Sequence, residues 1–312
     1  MIRQRVLQRC YVLFGMVLMG LAAEPSLPAQ GIAEPIGEEG YRVLTAFYDY
    51  DAKIPLEARV VALKDKKASV RRKVVFRSAR RFLVPGYLEF PKKVEPPYRC
   101  VVLMHGWSGS KENWWEKGNY ISGGEAREAL LDKGYAVFAL DAQGHGDRIA
   151  ENDYHVVNLY NEPGAPVRRN YFTLREVLAQ TVVDYRRGLD YLATRNDIDM
   201  QRIGLLGYSM GGFHAFALTA MEPRIKLAVG CVVPVSWSHD LVLAPANYAR
   251  GIGDRPFCML MGREDKMCNE TQARELYQLI EGRNTKLLFY KAGHKLPVSY
   301  VRDAVAFIAS RL

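Results

Sequence analysis

The chain has no C-x-x-C pair and no grouping of cysteines and histidines at metal-ligand spacing. That removes the zinc-module and dithiol-redox classes. No basic helical stripe and no run of cations interleaved with aromatics is present, so nothing marks a nucleic-acid partner. Internal repeats and low-complexity blocks are also missing. The longest apolar stretch, Tyr11 to Ala23, is too short to cross a membrane comfortably. What remains is an ordinary globular composition: 312 residues, 49% hydrophobic and 25% charged. A chain of that length can bury a large core and is still compatible with one α/β domain.

The N-terminus departs from this composition. Arg3, Arg5 and Arg9 precede the apolar stretch, Ala22 and Ala23 close it, and Pro25 and Pro28 interrupt the chain just beyond. A basic region, a short apolar region and small residues are the layout of a secretory signal. Residues 1–23 are therefore expected to be a signal peptide, 24–40 a linker, and 41–312 a single domain. An uncleaved membrane anchor is the alternative, and Cys10 lies on the wrong side of the apolar run for a lipoprotein signal. The expected location is secreted or periplasmic, with no membrane contact after signal removal. Loss of the three arginines lowers the net charge from +9 to +6. The basic cluster from Lys64 to Lys73, with Arg77, Arg80 and Arg81, alternates like a solvated strand face. Cys100, Cys231 and Cys258 lie in apolar, strand-like runs and Cys268 stands apart, so no structural disulfide is expected.

Residues 41–97 read as strands and turns, with Val74–Phe76, Phe82–Val84 and Tyr87–Phe90 the clearest runs and Pro85-Gly86 splitting the last two. From Cys100 onward short apolar runs alternate with helical stretches. The runs are Cys100–Met104, Ala136–Leu140, Ile203–Leu206, Leu227–Val233, Phe257–Met261 and Leu287–Tyr290. The helices are Glu125–Lys133, Thr173–Arg195, Gly212–Met221, Thr271–Glu281 and Val298–Leu312. Continuous apolar strands between helices imply a parallel sheet covered on both faces. Such a sheet carries its functional groups just beyond the carboxyl ends of its strands.

Four chemically suggestive segments sit at those ends. Gly207-Tyr208-Ser209-Met210-Gly211 lies between a strand and a helix, the setting in which G-x-S-x-G lifts a serine clear of the backbone. His105-Gly106-Trp107-Ser108-Gly109 follows another strand. Its Trp107 amide and the Met210 amide are the candidates for stabilising a negative oxygen in acyl transfer. Gly262-Arg263-Glu264-Asp265 offers a carboxylate, with Asp265 preferred over Glu264, and Asn269 is available to cap the next helix. Gly293-His294 supplies a histidine in the last loop. A nucleophilic serine needs a histidine base, and that base needs a buried carboxylate. Ser209, His294 and Asp265 fill these roles. Asp141 to Asp147 reads as scaffold with His145 buried, and His105 as a residue that orders its loop.

Taken together, these segments resemble the α/β-hydrolase superfamily, in its dienelactone-hydrolase-, acetyl-xylan-esterase- and prolyl-oligopeptidase-like branch. The resemblance covers about Tyr98 to Leu312. It implies a mostly parallel sheet with antiparallel N-terminal strands and helices on both faces. It also implies the triad Ser209, Asp265, His294 in that chain order, with Trp107 and Met210 as oxyanion hole. A dienelactone hydrolase proper would have cysteine at position 209. The expected reaction is hydrolysis of small acyl or acetyl esters, including those of sugars, through an acyl-enzyme. That chemistry needs no metal or organic cofactor, and its partner is a small-molecule ester. A serine peptidase or amidase of the same fold is the alternative, and a non-catalytic binding protein on this scaffold is a third reading. Insertions near 148–172 and 235–256, with Tyr154, Tyr160, Tyr171, Phe172, Trp237 and Tyr248, are expected to shape the pocket. Trp107, Trp114 and Trp115 are expected near its mouth, and Arg168 and Arg169 in the first insertion are read as solvated.

Overall fold

The computed structural model describes residues 31–151, 173–235, 240–280 and 282–312. The expected signal peptide, residues 152–172 of the first insertion and Trp237 of the second lie outside the described residues. The elements are α1 (Glu38–Ala46), β1 (Arg59–Asp65), β2 (Ser69–Arg77), β3 (Leu83–Pro91), β4 (Tyr98–Met104), α2 (Gly123–Asp132), β5 (Ala136–Leu140) and α3 (Arg148–Glu151). There follow α4 (Leu174–Ala193), β6 (Ile198–Tyr208), α5 (Met210–Met221), β7 (Ile225–Cys231), α6 (Ala249–Ile252), β8 (Phe257–Gly262), α7 (Glu270–Gln278), β9 (Thr285–Tyr290) and α8 (Tyr300–Ala309). Among the described residues the strands form one sheet in the order β1-β2-β3-β5-β4-β6-β7-β8-β9. β1, β2 and β3 pair antiparallel, and β3 meets β5 antiparallel. From β5 to β9 every pairing is parallel.

The apolar runs of the central strands are continuous because each strand feeds two cores. In β4, Cys100, Val102 and Met104 face one core while Val101 and Leu103 face the other. Phe138 against Val137 in β5, and Met259 against Leu260 in β8, repeat the alternation. The first core is closed by α4 and α5 through Leu178, Val182, Leu189, Phe213 and Phe216. The second is closed by α2 and α8 through Leu130, Tyr300, Val301 and Ile308. Full burial of one such Leu or Phe side chain contributes roughly 1.5–3 kcal/mol. The helix starts follow local chemistry. Thr173 caps α4, its side chain accepting from the Glu176 N–H while Glu176 accepts from the Thr173 N–H. Asn269 and Gln272 form the same reciprocal box at α7. Cys100, Cys231, Cys258 and Cys268 are buried free thiols. No helix among the described residues is long and apolar enough to cross a membrane.

The structure corrects the sequence reading in two places. Residues 38–46, expected to fall in the linker and a strand-rich segment, form α1. Tyr41, Leu44 and Tyr48 recur at helical spacing; Leu44 and Tyr48 are buried, and the Tyr48 and Tyr248 hydroxyls meet at 2.5 Å. The second is β3, which runs unbroken through Pro85-Gly86. Pro85 precedes the first β3–β5 pair, Gly86 with Leu140, so that neighbour demands no N–H from it. Gly86 is required by proximity: a Cβ there would stand 2.5 Å from a Leu140 methyl and 2.9 Å from the Ala139 carbonyl oxygen. Gly86→Val is therefore expected to destabilise the fold by about 1–3 kcal/mol through overpacking. Urea denaturation checks this, and an unchanged midpoint would contradict it.

Candidate active site

β6 passes into α5 through Ser209 alone. The serine has φ 57° and ψ −114°, in the left-handed half of the map that a residue with a side chain rarely enters. Its N–H donates to the Cys231 carbonyl at 2.9 Å, and its carbonyl accepts from the Phe213 N–H at 3.1 Å. The backbone is thus pinned on both sides of the turn. Gly207 and Gly211 are there because of crowding: a Cβ on the first would lie 1.9 Å from the Gly211 carbonyl oxygen, and one on the second 2.0 Å from that of Met104. The result is a half-buried hydroxyl held above the end of the sheet.

Two loops bring the other groups to it. His294, after β9, places Nε2 2.7 Å from the Ser209 Oγ and Nδ1 2.8 Å from the Asp265 Oδ2. The Asp265 side chain, after β8, is fully buried and its Oδ1 accepts from the Met267 N–H at 2.9 Å. Glu264, the competing acid, is exposed. The two loops are laced together by backbone bonds from Arg263 N–H to the Tyr290 carbonyl and from Glu264 N–H to the Ala292 carbonyl, each 3.0 Å. In this arrangement Nδ1–H donates to the carboxylate, which leaves Nε2 to accept from the hydroxyl. An imidazole so placed can remove the Oγ proton while the buried carboxylate balances the charge that appears.

The His105–Gly109 loop packs directly against the serine. A Cβ on Gly106 would lie 3.3 Å from the Ser209 Cβ and 3.9 Å from Oγ. The Gly106 carbonyl is occupied twice, by the Gly109 N–H at 3.1 Å and by His105 Nδ1 at 2.8 Å. A peptide's carbonyl and N–H point in opposite directions, so anchoring that carbonyl also fixes the direction of the Trp107 N–H. Met210 is the first residue of α5, and its N–H has no partner within its own helix.

Sequence reasoning missed what supports this loop. The Lys111 ammonium is buried between Asp141 at 2.7 Å and Asp147 at 2.8 Å, and the Lys111 N–H donates to the Asp141 Oδ1 at 2.8 Å. Burial alone would depress the lysine, yet the facing carboxylates hold its pKa above the ordinary value. A lysine and two aspartates 30 and 36 residues further along carry no local signal; only the strand-end rule would have suggested that the two turns meet. His105 completes the linkage by accepting from the Ala142 N–H through Nε2 at 3.0 Å.

Among the described residues, the other two histidines, His145 and His214, are interior. His145 bonds through Nδ1 to the Gln143 carbonyl at 2.9 Å, and His214 is buried on α5. Of the aromatics expected to form the pocket, Trp114 and Tyr248 are core residues instead. Each fills a cavity between elements that the sequence could not show to be neighbours. Trp107 is half-buried, edge-on to His145, and Trp115 donates to the buried Glu89. Tyr154, Tyr160, Tyr171, Phe172, Trp237, Arg168 and Arg169 lie outside the described residues. A groove of about 480 Å³ lined by Lys66, Lys67, Lys92, Lys93 and Arg127 lies elsewhere. The end of β3 that flanks it runs beside the amino end of β5, away from Ser209.

A family model described as "Alpha/beta hydrolase family" matches residues 101–292. YtaP of Bacillus subtilis (strain 168), which carries a provisional hydrolase name, is 24% identical over 206 residues, 65% of this chain and 65% of its own length. Two further curated hydrolases are matched over 31% and 52% of their lengths, so the chain spans less than two thirds of these relatives. Among solved structures, an acetyl xylan esterase from Paenibacillus sp. R4 aligns with TM-score 0.66 at 19% identity, over 90% of this chain and 97% of that one. Acetyl xylan esterase 1 from Thermoanaerobacterium sp. gives 0.67 at 15%, over 89% and 95%. At such identities the likeness is one of fold.

Burial of the interior histidines has a consequence for stability. It lowers His105 and His145 from the ordinary 6.5 to about 4, and His214 to about 3. Between those values the unfolded chain binds more protons than the folded one, so stability falls as pH falls. Urea unfolding at stepped pH is expected to show stability lost from about pH 6.5 down to about pH 4, with a shallower slope in His145→Gln. An equal slope in that variant would contradict the assignment.

Proposed function

This chain belongs to the alpha/beta hydrolase family, and from that premise we propose that it is a serine hydrolase cleaving carboxylic esters through an acyl-enzyme. The observation that carries the proposal is the unbroken line of bonds Ser209 Oγ, His294 Nε2, His294 Nδ1, Asp265 Oδ2, at 2.7 and 2.8 Å. His294 takes the Ser209 proton as Oγ attacks the ester carbonyl. The tetrahedral oxygen is met by the Trp107 and Met210 N–H groups. His294 then returns the proton to the leaving alcohol, and a new Oγ–acyl ester remains. Water, deprotonated by the same imidazole, repeats the attack and frees the acid and Ser209. Asp265 holds the ring in the tautomer these steps need and is never itself protonated. No step calls for a metal or an organic cofactor.

Small acyl esters, acetylated sugars among them, are the proposed substrates; the fold likeness to acetyl xylan esterases supports this class. The basic and apolar N-terminal pattern further supports export with loss of residues 1–23.

On p-nitrophenyl acetate, Ser209→Ala is expected to lose at least about 10,000-fold in kcat, and Asp265→Asn about 1,000- to 10,000-fold. A Ser209→Ala protein as fast as the wild type would sink the esterase reading. Cleavage of aminoacyl p-nitroanilides with no ester turnover would establish a peptidase instead. For export, the intact mass of the secreted protein is expected to match a chain beginning near Glu24. A full-length chain held in the membrane fraction would favour the anchor.

A further inference from the structure

Tyr208 ends β6, one residue before the nucleophile, and its phenol is buried. The ring packs edge-on against Tyr300, centroids 5.7 Å apart at 61°, and against Tyr120 at 6.4 Å and 81°. The hydroxyl does not reach solvent. It donates to the His294 carbonyl at 3.0 Å and accepts from the Leu296 N–H at 2.8 Å. These two groups lie on either side of Lys295, so one oxygen grips the histidine loop at consecutive polar groups facing the sheet. The loop is otherwise half-exposed from Ala292 to His294. Burial raises the phenol above its ordinary value, so the hydroxyl keeps its proton at neutral pH.

The imidazole of His294 has two side-chain partners, but neither controls where its own backbone sits. That is set by the lacing to the Asp265 loop and by Tyr208. The lacing fixes His294 relative to the acid. Among the described residues, it is the phenol that ties the backbone of this loop to the strand leading into Ser209. Resting on the serine-hydrolase reading above, we propose that Tyr208 is a positioning residue that sets the distance between the His294 Nε2 and the Ser209 Oγ. It touches neither substrate nor reacting atoms. Its effect belongs in kcat, because a misplaced base slows proton transfer while leaving the pocket that binds the ester unchanged.

Tyr208→Phe keeps the ring and deletes the oxygen. With p-nitrophenyl acetate its kcat is expected to fall about 10- to 100-fold, the scale of an ångström's misplacement, while KM changes less than about two-fold. Labelling of Ser209 by a fluorophosphonate is expected to slow in parallel. Tyr300→Phe is the control: it removes another buried hydroxyl of the same cluster, one that donates to the Ile121 carbonyl and makes no bond to the histidine loop. It is expected to lower the melting temperature and leave kcat unchanged. Wild-type kcat in Tyr208→Phe, or an equal loss in Tyr300→Phe, would overturn the proposal. In the wild-type protein, hydrogen exchange supplies a reading independent of any variant. The Leu296 amide is expected to be strongly protected, and exchange at the rate of a free peptide would overturn the proposal. Ser209→Ala measured alongside separates the two levels. If it stays active, the esterase reading fails. If it is dead while Tyr208→Phe runs at full rate, only the role of Tyr208 fails.

Discussion

A Cβ on Gly207 would lie 1.9 Å from the Gly211 carbonyl oxygen, and one on Gly211 would lie 2.0 Å from that of Met104. Strand, helix and neighbouring strand therefore pass one another at backbone distance, and Ser209, midway between the two glycines, is forced into the turn. Ser209 takes φ 57°, at a cost on the order of 1–3 kcal/mol. Bonds from its N–H to the Cys231 carbonyl and from the Phe213 N–H to its own carbonyl hold it there. The strain persists because Tyr208, Met210 and Cys231 beside it are buried and leave little room to relax. Lifting Oγ above the sheet and destabilising that backbone are the same event.

The other groups reach Ser209 because parallel strands end on one edge of the sheet. β4, β6, β8 and β9 run in register, Met104 beside Gly207 and Gly262 beside Tyr290. Where the chain leaves β5, a buried ion pair keeps the adjoining turns together: Lys111 sits between Asp141 and Asp147. Removing one partner of such a pair leaves an uncompensated charge, at a cost of about 3–5 kcal/mol. Through Ala142 and His105 this cluster reaches the Gly106 carbonyl, and so the direction of the Trp107 N–H. The turn that carries Trp107 is thus supported electrostatically, while the turn that carries Ser209 is held sterically.

Much of this was legible in the sequence because the relevant signals are local. Val101–Met104, Ala136–Leu140 and Phe257–Met261 are apolar without interruption, which only strands covered on both faces require. The three residues that converge lie within four positions of the ends of apolar runs, so the strand-end rule found Ser209, Asp265 and His294 together. Other features depend on distant partners and leave no local trace. Tyr41, Leu44 and Tyr48 form a helical face, but the glycines and prolines before them suggest a linker, and Tyr248, which completes that face, is 200 residues away. Pro85-Gly86 reads as a break until Leu140 is placed beside it. Tyr248 and Trp114 looked like pocket aromatics because burial and exposure are identical in a list of residues. Lys111 and Asp141 carry no signal until two turns meet.

Asp265 and His294 are held together, since the loops after β8 and β9 are laced together and Gly262 has no room for a side chain beside the Gly293 carbonyl. Ser209 follows β6. Between β6 and β8 lies β7, and its last residues must serve both neighbours at once. The Cys231 carbonyl accepts from the Ser209 N–H on one side, and the Val232 N–H donates to the Leu260 carbonyl at 2.8 Å on the other. To reach both, the chain leaves the pleat at Val232 with φ 42°, a conformation that a β-branched residue adopts only under constraint. Val232 is fully buried, so its side chain anchors the bend that its backbone resists. A second strained residue thus sits where the serine's strand is joined to the acid's. Its strain has the same origin as that of Ser209: a backbone forced to satisfy two neighbours from one position.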